Sequence, residues 1–347
     1  MPKMRDVPPS PDDWQALLTA AQSYQNAAPW QRLSDSPVIG VADPDADEVG
    51  YCSVLGAGGE SFGLLLFLGP KGFWAYRQMA SSEDTSSWDA RAAMFTPPAL
   101  SLNLGARDQV SEDERAVFRS LGWRFRGAHA WPVCRSIRLG YLPWKLTARE
   151  MRQLTNALVA VEAFSHLPQG IIMLEQVSRD QLDPGDGPQP VVVLRPDGVG
   201  AWTPSVSEVS PQPAVAVDST YRSERVQSLR ERLPRSRDTW QMDFLPAPFG
   251  IGAARERLEA SWLGLAVSEG NGLALNLYAF SARESIRPAE FLLDTLEKAG
   301  CLPSAVRVCR RDVAEGLAPV VEALGCRLGQ SVHLREMESF YDAVLDA

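Results

Sequence analysis

The chain is poor in the residues that announce common chemistries. Its 347 residues include three histidines, His129, His166 and His333. None stands in an HxH or HExxH spacing, which argues against a histidine-rich metal site. The five cysteines, Cys52, Cys134, Cys301, Cys309 and Cys326, are odd in number, scattered, and form no CxxC pair. That pattern excludes a zinc ribbon and a disulfide framework and fits reduced thiols. There is no GxSxG elbow, the strand-to-helix turn that exposes a serine nucleophile. The longest dense apolar run, Phe62–Leu68, is too short to span a bilayer. The first residues, MPKMRDVPPSPDDW, lack the apolar centre of a signal peptide. No membrane, no metal and no cofactor is expected, and the expected location is cytoplasmic. Lysine is scarce too: Lys3, Lys71, Lys145 and Lys298 are all there are. Positive charge is therefore carried by arginine throughout, and arginine abundance alone does not signal phosphate recognition.

What remains is an ordinary globular composition, 45% apolar and 22% charged, with a net charge of −9. The length suits two domains, each with its own core. The charge opposes gross binding to nucleic acid or anionic membrane. Residues 12–28 form an amphipathic helix, with Trp14, Leu17, Leu18, Ala21 and Tyr24 at helical spacing. Strand patterns follow at Pro37–Ala42, Gly50–Leu55 and Phe62–Leu68. The acidic run from Asp43 to Glu48 resembles the opening of a calcium loop. It lacks the sixth-position glycine and the late glutamate, so it reads as a solvated turn. Gly56-Ala-Gly-Gly59-Glu60 could cradle a phosphate only with a helix behind it. A strand follows instead, so a hairpin turn is expected.

Residues 72–95 read as helix in two pieces broken at Ser81–Ser87, and Ala99–Leu104 as a strand. Ser111-Glu-Asp-Glu114 and Thr147-Ala-Arg-Glu150 are capping boxes. The second opens a helix whose Met151, Leu154, Leu158, Val161 and Ser165 share one face. Residues 168–190 are rich in Pro, Gly, Gln and Asp, with Asp183–Pro188 a turn or linker, and Val191–Leu194 with Val199–Trp202 reads as a hairpin. The polar segment Thr203–Gln212 holds the expected boundary between an N-terminal α+β domain, 1–205, and a C-terminal α/β domain, 206–347. The latter shows a weak repeat. Residues 213–219 and then 303–310 each lead as a strand into a helix and a second strand, the closing runs being TWQMDFLP and Leu328–Leu334. Between the copies lie strands Ser261–Val267 and Leu273–Phe280, then a helix from Pro288 to Gly300; Arg335–Leu345 is a last helix. The fold class expected is α+β, two domains, each a mixed sheet packed with helices.

The stretch Leu121–Trp144, LGWRFRGAHAWPVCRSIRLGYLPW, stands apart, with three tryptophans, four arginines and a tyrosine. It is expected as strand, loop and strand. From Arg115 to Arg149 there are eight basic residues and no carboxylate, a local reversal of sign. Guanidinium forks bind oxygens and aromatic rings stack, so the mixture suits phosphates and bases. It suits protein hot spots equally. A third possibility is that the tryptophans fill the core while Arg135 and Arg138 pair with acids of the same domain. Three apart, those two arginines would face opposite sides of a regular strand. Cys134 and His129 could be drawn as nucleophile and base, but a small residue buried on a strand is the better account of Cys134.

The same run, extended through KLTAREMRQLTNAL, resembles the signature of an uncharacterised bacterial family, a domain of unknown function. Its pattern is close to LG-x-x-FRG-x-x-AWP-x-FRS-x-x-PGY-x-PW. The upstream GYCSVLGAGGE and FGLLLFLG are similar to that family's N-terminal half. The C-terminal repeat is similar to a second uncharacterised domain that accompanies it. Cys134 stands where the pattern has Phe, and Leu139 where it has Pro. The resemblance implies a fold unit and no activity.

The candidate ligand-binding residues are Arg126, Trp131, Arg135, Arg138, Tyr141 and Trp144, with Glu60 as a carboxylate partner; Pro132 and Pro143 match the pattern as well. No catalytic residue is identified. The expected function is that of a non-enzymatic binding or regulatory protein using an Arg/aromatic surface toward a protein partner or anionic ligand. The alternative is an enzyme acting on a phosphate-bearing or nucleic-acid substrate.

Overall fold

The computed structural model describes residues 7–34, 37–46, 48–81, 98–181, 187–198, 200–211, 218–253 and 256–345. The chain forms two compact units. The first draws on the described parts of Met1–Gln78, Pro97–Arg138 and Pro143–Gln212. The second draws on those of Met79–Thr96, Leu139–Leu142 and Pro213–Ala347.

The first unit is built on a seven-stranded sheet in the order β5-β4-β3-β2-β1-β6-β7. Strands β1 (Ile39–Ala42), β2 (Val49–Leu55), β3 (Gly63–Leu68), β4 (Ala99–Gly105) and β5 (Trp131–Ile137) form an antiparallel run. Strand β6 (Gln189–Pro196) joins β1 in parallel, and β7 (Trp202–Val209) closes the sheet antiparallel to β6. Helix α1 (Pro11–Ala27) starts from a capping box of Ser10 and Asp13 and buries Leu17, Leu18, Ala21 and Tyr24. Helix α4 (Ala148–Ser165) buries Met151, Leu154, Leu158, Val161 and Ser165, the face its spacing predicts. Both helices pack on the sheet through one core that includes Cys52, Leu64, Leu100, Leu102 and Val192. Strand residues of the opposite parity, Tyr51, Phe67, Val191 and Val193, pack with Phe73 of α2 (Gly69–Ser81). Between β4 and β5 lie a 3-10 turn at Arg107–Gln109 and helix α3 (Glu112–Ser120).

Several local expectations change. Helix α5 (Pro168–Gln181) fills much of a polar stretch for which no element was expected, and the turn expected at Asp183–Pro188 falls largely outside the described residues. Proline is compatible with a first helical turn, and Leu174 and Val177, three apart, are buried. Gly170 permits the start of this helix: a Cβ there would come within 2.6 Å of the Phe164 ring. Strand β7 runs through the polar segment expected to hold the domain boundary. Of its eight residues only Val209 is buried, as suits a strand at a sheet edge. The hairpin partner of β6 begins at Trp202, and the described part of the first unit runs to Pro211. Residues 121–130 form no strand. The second helical piece expected after Ser87 lies outside the described residues, as does the strand expected at 213–219 except for Asp218 and Ser219, which form none.

The turns follow local chemistry. Gly59, at φ 78°, donates its N–H to Gly56 O at 3.1 Å and closes the β2–β3 hairpin. In the acidic turn, Asp43 N–H bonds Glu48 O at 2.9 Å, and the Asp43 side chain receives Gln153 on α4. Among the described residues no group of three or more His, Cys, Asp or Glu side chains could hold a metal ion.

The second unit has a five-stranded sheet in the order β10-β9-β8-β11-β12. Strands β8 (Thr239–Ile251), β9 (Glu259–Ser268) and β10 (Ala274–Ser281) are antiparallel. Strands β11 (Ala305–Val308) and β12 (Arg327–Gln330) extend β8 in parallel, so β12 is shorter than the predicted 328–334. Alternation sorts the two faces. Leu263, Leu265 and Val267 pack with Leu334, Met337 and Tyr341, from α9 (Arg335–Leu345) and the residue before it. Trp240, Met242 and Phe244 pack with α6 (Ser223–Arg232), α7 (Pro288–Ala299) and α8 (Arg311–Leu324). The second repeat copy is thus β11–α8–β12, two parallel neighbours joined across a helix. No single described helix is long and apolar enough to cross a membrane.

Candidate functional site

The arginines of the central stretch divide by what their guanidinium groups meet. Arg135 lies on β5, and its Nη1 donates to Glu114 Oε1 at 2.8 Å. Glu114 is also the third residue of α3. Its Oε2 accepts the Ser111 N–H at 2.9 Å and the Ser111 hydroxyl at 2.7 Å, while the Glu114 N–H returns to Ser111 Oγ. Arg138, one residue past β5, repeats the arrangement with the other capping box. Its Nε and Nη2 donate to Glu150 Oε1 at 3.1 and 2.9 Å. Glu150 Oε2 accepts the Thr147 N–H at 2.8 Å and hydroxyl at 3.0 Å, and Oε1 also accepts the Ser136 hydroxyl at 2.7 Å. Each capping glutamate therefore closes its own helix start and clamps one arginine.

The electrostatics of Glu150 follow from this ring of donors. Burial is the largest single influence and pushes its carboxyl up. The Thr147 N–H, the Ser136 hydroxyl and Arg138 together outweigh burial and hold the carboxyl below the usual glutamate value. Glu150 is ionised at neutral pH because its donors point at it.

The loop at 121–130 treats its arginines differently. Trp123 and Phe125 are half-buried, while Arg124 and Arg126 are exposed. The two rings stack, with centroids 5.7 Å apart and planes 7° apart. Phe125 also meets Phe118 at 5.5 Å and Trp131 at 5.6 Å, and Phe118 meets Trp14 at 5.7 Å. Trp123 Nε1 donates to Gln15 Oε1 on α1. This ladder pins the loop through its aromatic residues and turns the intervening guanidinium groups outward. Among the described residues, Arg119, Arg124 and Arg126 form no ion pair.

The remaining candidates separate. Trp131 starts β5 as part of the ladder, and Pro132 is buried behind it. Trp144 is half-buried and bridges Ser136, with the two backbone hydrogen bonds at 2.8 and 3.0 Å. Tyr141 belongs to the second unit. Its ring lies 5.9 Å from the Arg257 guanidinium and 5.5 Å from that of Arg283. Glu60 is exposed on the β2–β3 turn and pairs with neither Arg135 nor Arg138, whose carboxylates are Glu114 and Glu150. The His129 ring packs edge-on against Phe62, and its carbonyl accepts from Gln25. The Cys134 thiol is pushed up to about 12, by burial first and then by Glu114. It stays protonated at neutral pH, which removes the Cys134–His129 nucleophile pairing.

Sequence reasoning missed Glu114 and Glu150 as partners of Arg135 and Arg138, although both capping boxes were plain in it. It also left out Arg124, whose alternation with Trp123 and Phe125 was a usable signal. Arg257 and Arg283 carried none, since they lie more than a hundred residues from Tyr141 in the sequence.

A second buried carboxylate lies in the second unit. Asp243 on β8 accepts the N–H of Cys309 at 2.8 Å and of Arg310 at 3.0 Å, at the start of α8, and that of Phe244 at 2.8 Å. The Arg310 guanidinium turns elsewhere, to Asp312 and Phe244 O, and lies 5.1 Å from the Trp262 ring. Burial dominates at Asp243 and pushes its carboxyl up to about 6 against those donors and the Arg310 charge.

Residues 14–181 match one domain of unknown function, DUF7309, and residues 225–345 match another, DUF6930. Comparison with curated proteins finds no match.

Proposed function

We propose that this chain, which carries those two domains of unknown function, is a binding protein rather than an enzyme. The loop at 121–130 is its contact surface and an acidic segment of a protein its partner. The observation that carries this reading is the alternation at 123–126. Two rings are locked inward, and two guanidinium groups without described carboxylate partners are held outward in a chain of net charge −9. A loop already immobilised by stacking loses little freedom on binding, which favours affinity. Arginines flanked by aromatic residues are the composition of interface hot spots. The rings stack on each other rather than standing free for bases, so a protein partner is favoured over nucleic acid. The five free thiols support a reducing, cytoplasmic setting.

The test is fluorescence anisotropy with a labelled glutamate-rich peptide and a labelled RNA of equal length, at low and moderate salt. Wild type should bind the peptide in a salt-sensitive manner. Arg124→Ala/Arg126→Ala should weaken it about tenfold, at up to ~1 kcal/mol for each exposed charge. Tighter RNA binding, lost in the same variant, would replace the protein partner by a nucleic acid. Binding of neither probe would overturn the assignment of this loop as the contact surface.

A further inference from the structure

Residues 121–126 pair with no strand, yet they are patterned like one. Exposure alternates along them: Leu121, Trp123 and Phe125 are half-buried, while Gly122, Arg124 and Arg126 are exposed. A period of two marks extended chain, in which neighbours point to opposite faces. The run is bracketed by Gly122 at φ 81° and Gly127 at φ 113°, conformations that suit glycine and turn the chain. Between them the segment is fixed by the stacked rings of Trp123 and Phe125 and by the bond from Trp123 to Gln15.

The main chain of this segment is open. Trp123 donates its N–H to Phe118 O on α3 at 2.9 Å. Among the described residues the N–H and C=O groups of Arg124, Phe125 and Arg126 form no hydrogen bond, and no strand pairs with them. Successive N–H groups of an extended run point to alternate sides. With Trp123 turned toward α3, those of Arg124 and Arg126 point the other way, each beside its own C=O. A pinned segment with donors and acceptors along one edge is a template for a further strand.

We propose that an acidic–apolar–acidic segment of a partner protein adds antiparallel to residues 123–126, exchanging main-chain hydrogen bonds with Arg124 and with Arg126. This deepens the assignment of the 121–130 loop as the contact surface and rests on it. Two observations choose the occupant. The open edge offers carbonyl acceptors as well as N–H donors. A polypeptide backbone alternates the complementary groups at the same spacing, whereas phosphate groups bring acceptors only. The second is charge. Residues opposite one another on paired strands share a face. The partner residues across from Arg124 and Arg126 therefore lie on the outward side, beside two guanidinium groups without described carboxylate partners. Carboxylates suit both positions. The residue between them faces inward beside Phe125, where an apolar side chain fits.

The test is fluorescence anisotropy of the full chain with four end-capped, labelled peptides at moderate salt. The first, Thr-Val-Glu-Val-Glu-Val-Thr, sets its glutamates two apart. The second, Thr-Glu-Val-Val-Glu-Val-Thr, holds the same residues with the glutamates three apart, so that on a strand they face opposite sides. The third and fourth repeat the first with N-methyl groups on both glutamates or on two of the valines, which removes donors and leaves charge unchanged. The first peptide should bind about tenfold more tightly than the second and the third, and within about twofold of the fourth. Equal binding by the first two, or no greater loss from methylating the glutamates than the valines, overturns strand addition and leaves the acidic contact standing. If none of the four binds, both readings fall. Hydrogen exchange gives a second measure. A saturating amount of the first peptide should slow the Arg124 and Arg126 amides, and unchanged exchange there overturns the pairing.

Discussion

Glu150 and Asp243 are both buried carboxylates near an arginine, one in each unit, and their carboxyls shift in opposite directions. Glu150 is held below its ordinary value and Asp243 is raised to about 6. Burial works against the charged form at both sites. Asp243 is fully enclosed and Glu150 not quite, and the groups that oppose burial differ as well. Arg138 donates from two nitrogens directly to Glu150. Arg310 contributes its charge to Asp243 but spends its side-chain hydrogen bonds on Asp312 and the Phe244 carbonyl. Three backbone N–H groups do not make up the shortfall. At Asp243 the charge of Arg310 is the strongest opposition to burial and still does not prevail, whereas at Glu150 the Thr147 N–H and the Ser136 hydroxyl lead the opposition and Arg138 follows.

The largest expected effect tests the donor-rich side of this contrast. Glu150→Ala should destabilise the first unit by about 3 kcal/mol in urea unfolding, because it strands Arg138, Ser136 and the start of α4 together. A loss below about 1 kcal/mol would mean that the ring of donors is replaceable by water.

Next comes pH. The folded value of Asp243 lies above the ordinary aspartate value, so the native state takes up a proton as pH falls through about 6. Its contribution to stability therefore rises as pH drops from about 7 toward about 4 and then levels off, by on the order of 2–3 kcal/mol. Asp243→Asn should lack that slope, and the check is the difference between the two unfolding curves across this range. The sign at Glu150 is the reverse. Its contribution is present above the unfolded value of about 4.3 and is lost as pH falls through the lower folded value.

A smaller effect sharpens the role of the arginine. Arg138→Met should let burial prevail at Glu150, and carboxyl NMR should then show that group titrating above rather than below the ordinary range. Smallest of all, Arg124→Ala/Arg126→Ala should change stability by no more than about 0.5 kcal/mol, whatever it does to binding. A larger loss would place those two arginines with Arg135 and Arg138 as part of the framework.

Much of the architecture was legible because its causes are local. Apolar spacing marked α1 and α4, short apolar runs marked β2 and β3, and Pro288 and Gly300 bracketed α7. Two errors had a common origin. The polar composition of 168–181 and 203–209 hid a helix and an edge strand, each needing only one apolar side, and their few buried residues were outnumbered in any local window. The site was legible in its parts and not in its pairing. Ser111–Glu114 and Thr147–Glu150 were evident as helix starts, and Arg135 and Arg138 as unusual cations. That each glutamate reaches one arginine depends on β5 passing beside both helix starts, which no spacing between residues 21 or 12 apart encodes. Arg257 and Arg283 beside Tyr141 depend in the same way on the second unit having folded.

The double use of each capping glutamate also bears on how the first unit opens. One carboxylate holds the first turn of α4 and, through Ser136 and Arg138, the end of β5. Fraying of that helix start and release of that strand end then become one event rather than two. The amides around Thr147–Glu150 and those around Ser136 should exchange with solvent at a common rate, as a single cooperative unit. In Glu150→Gln the two rates should part company.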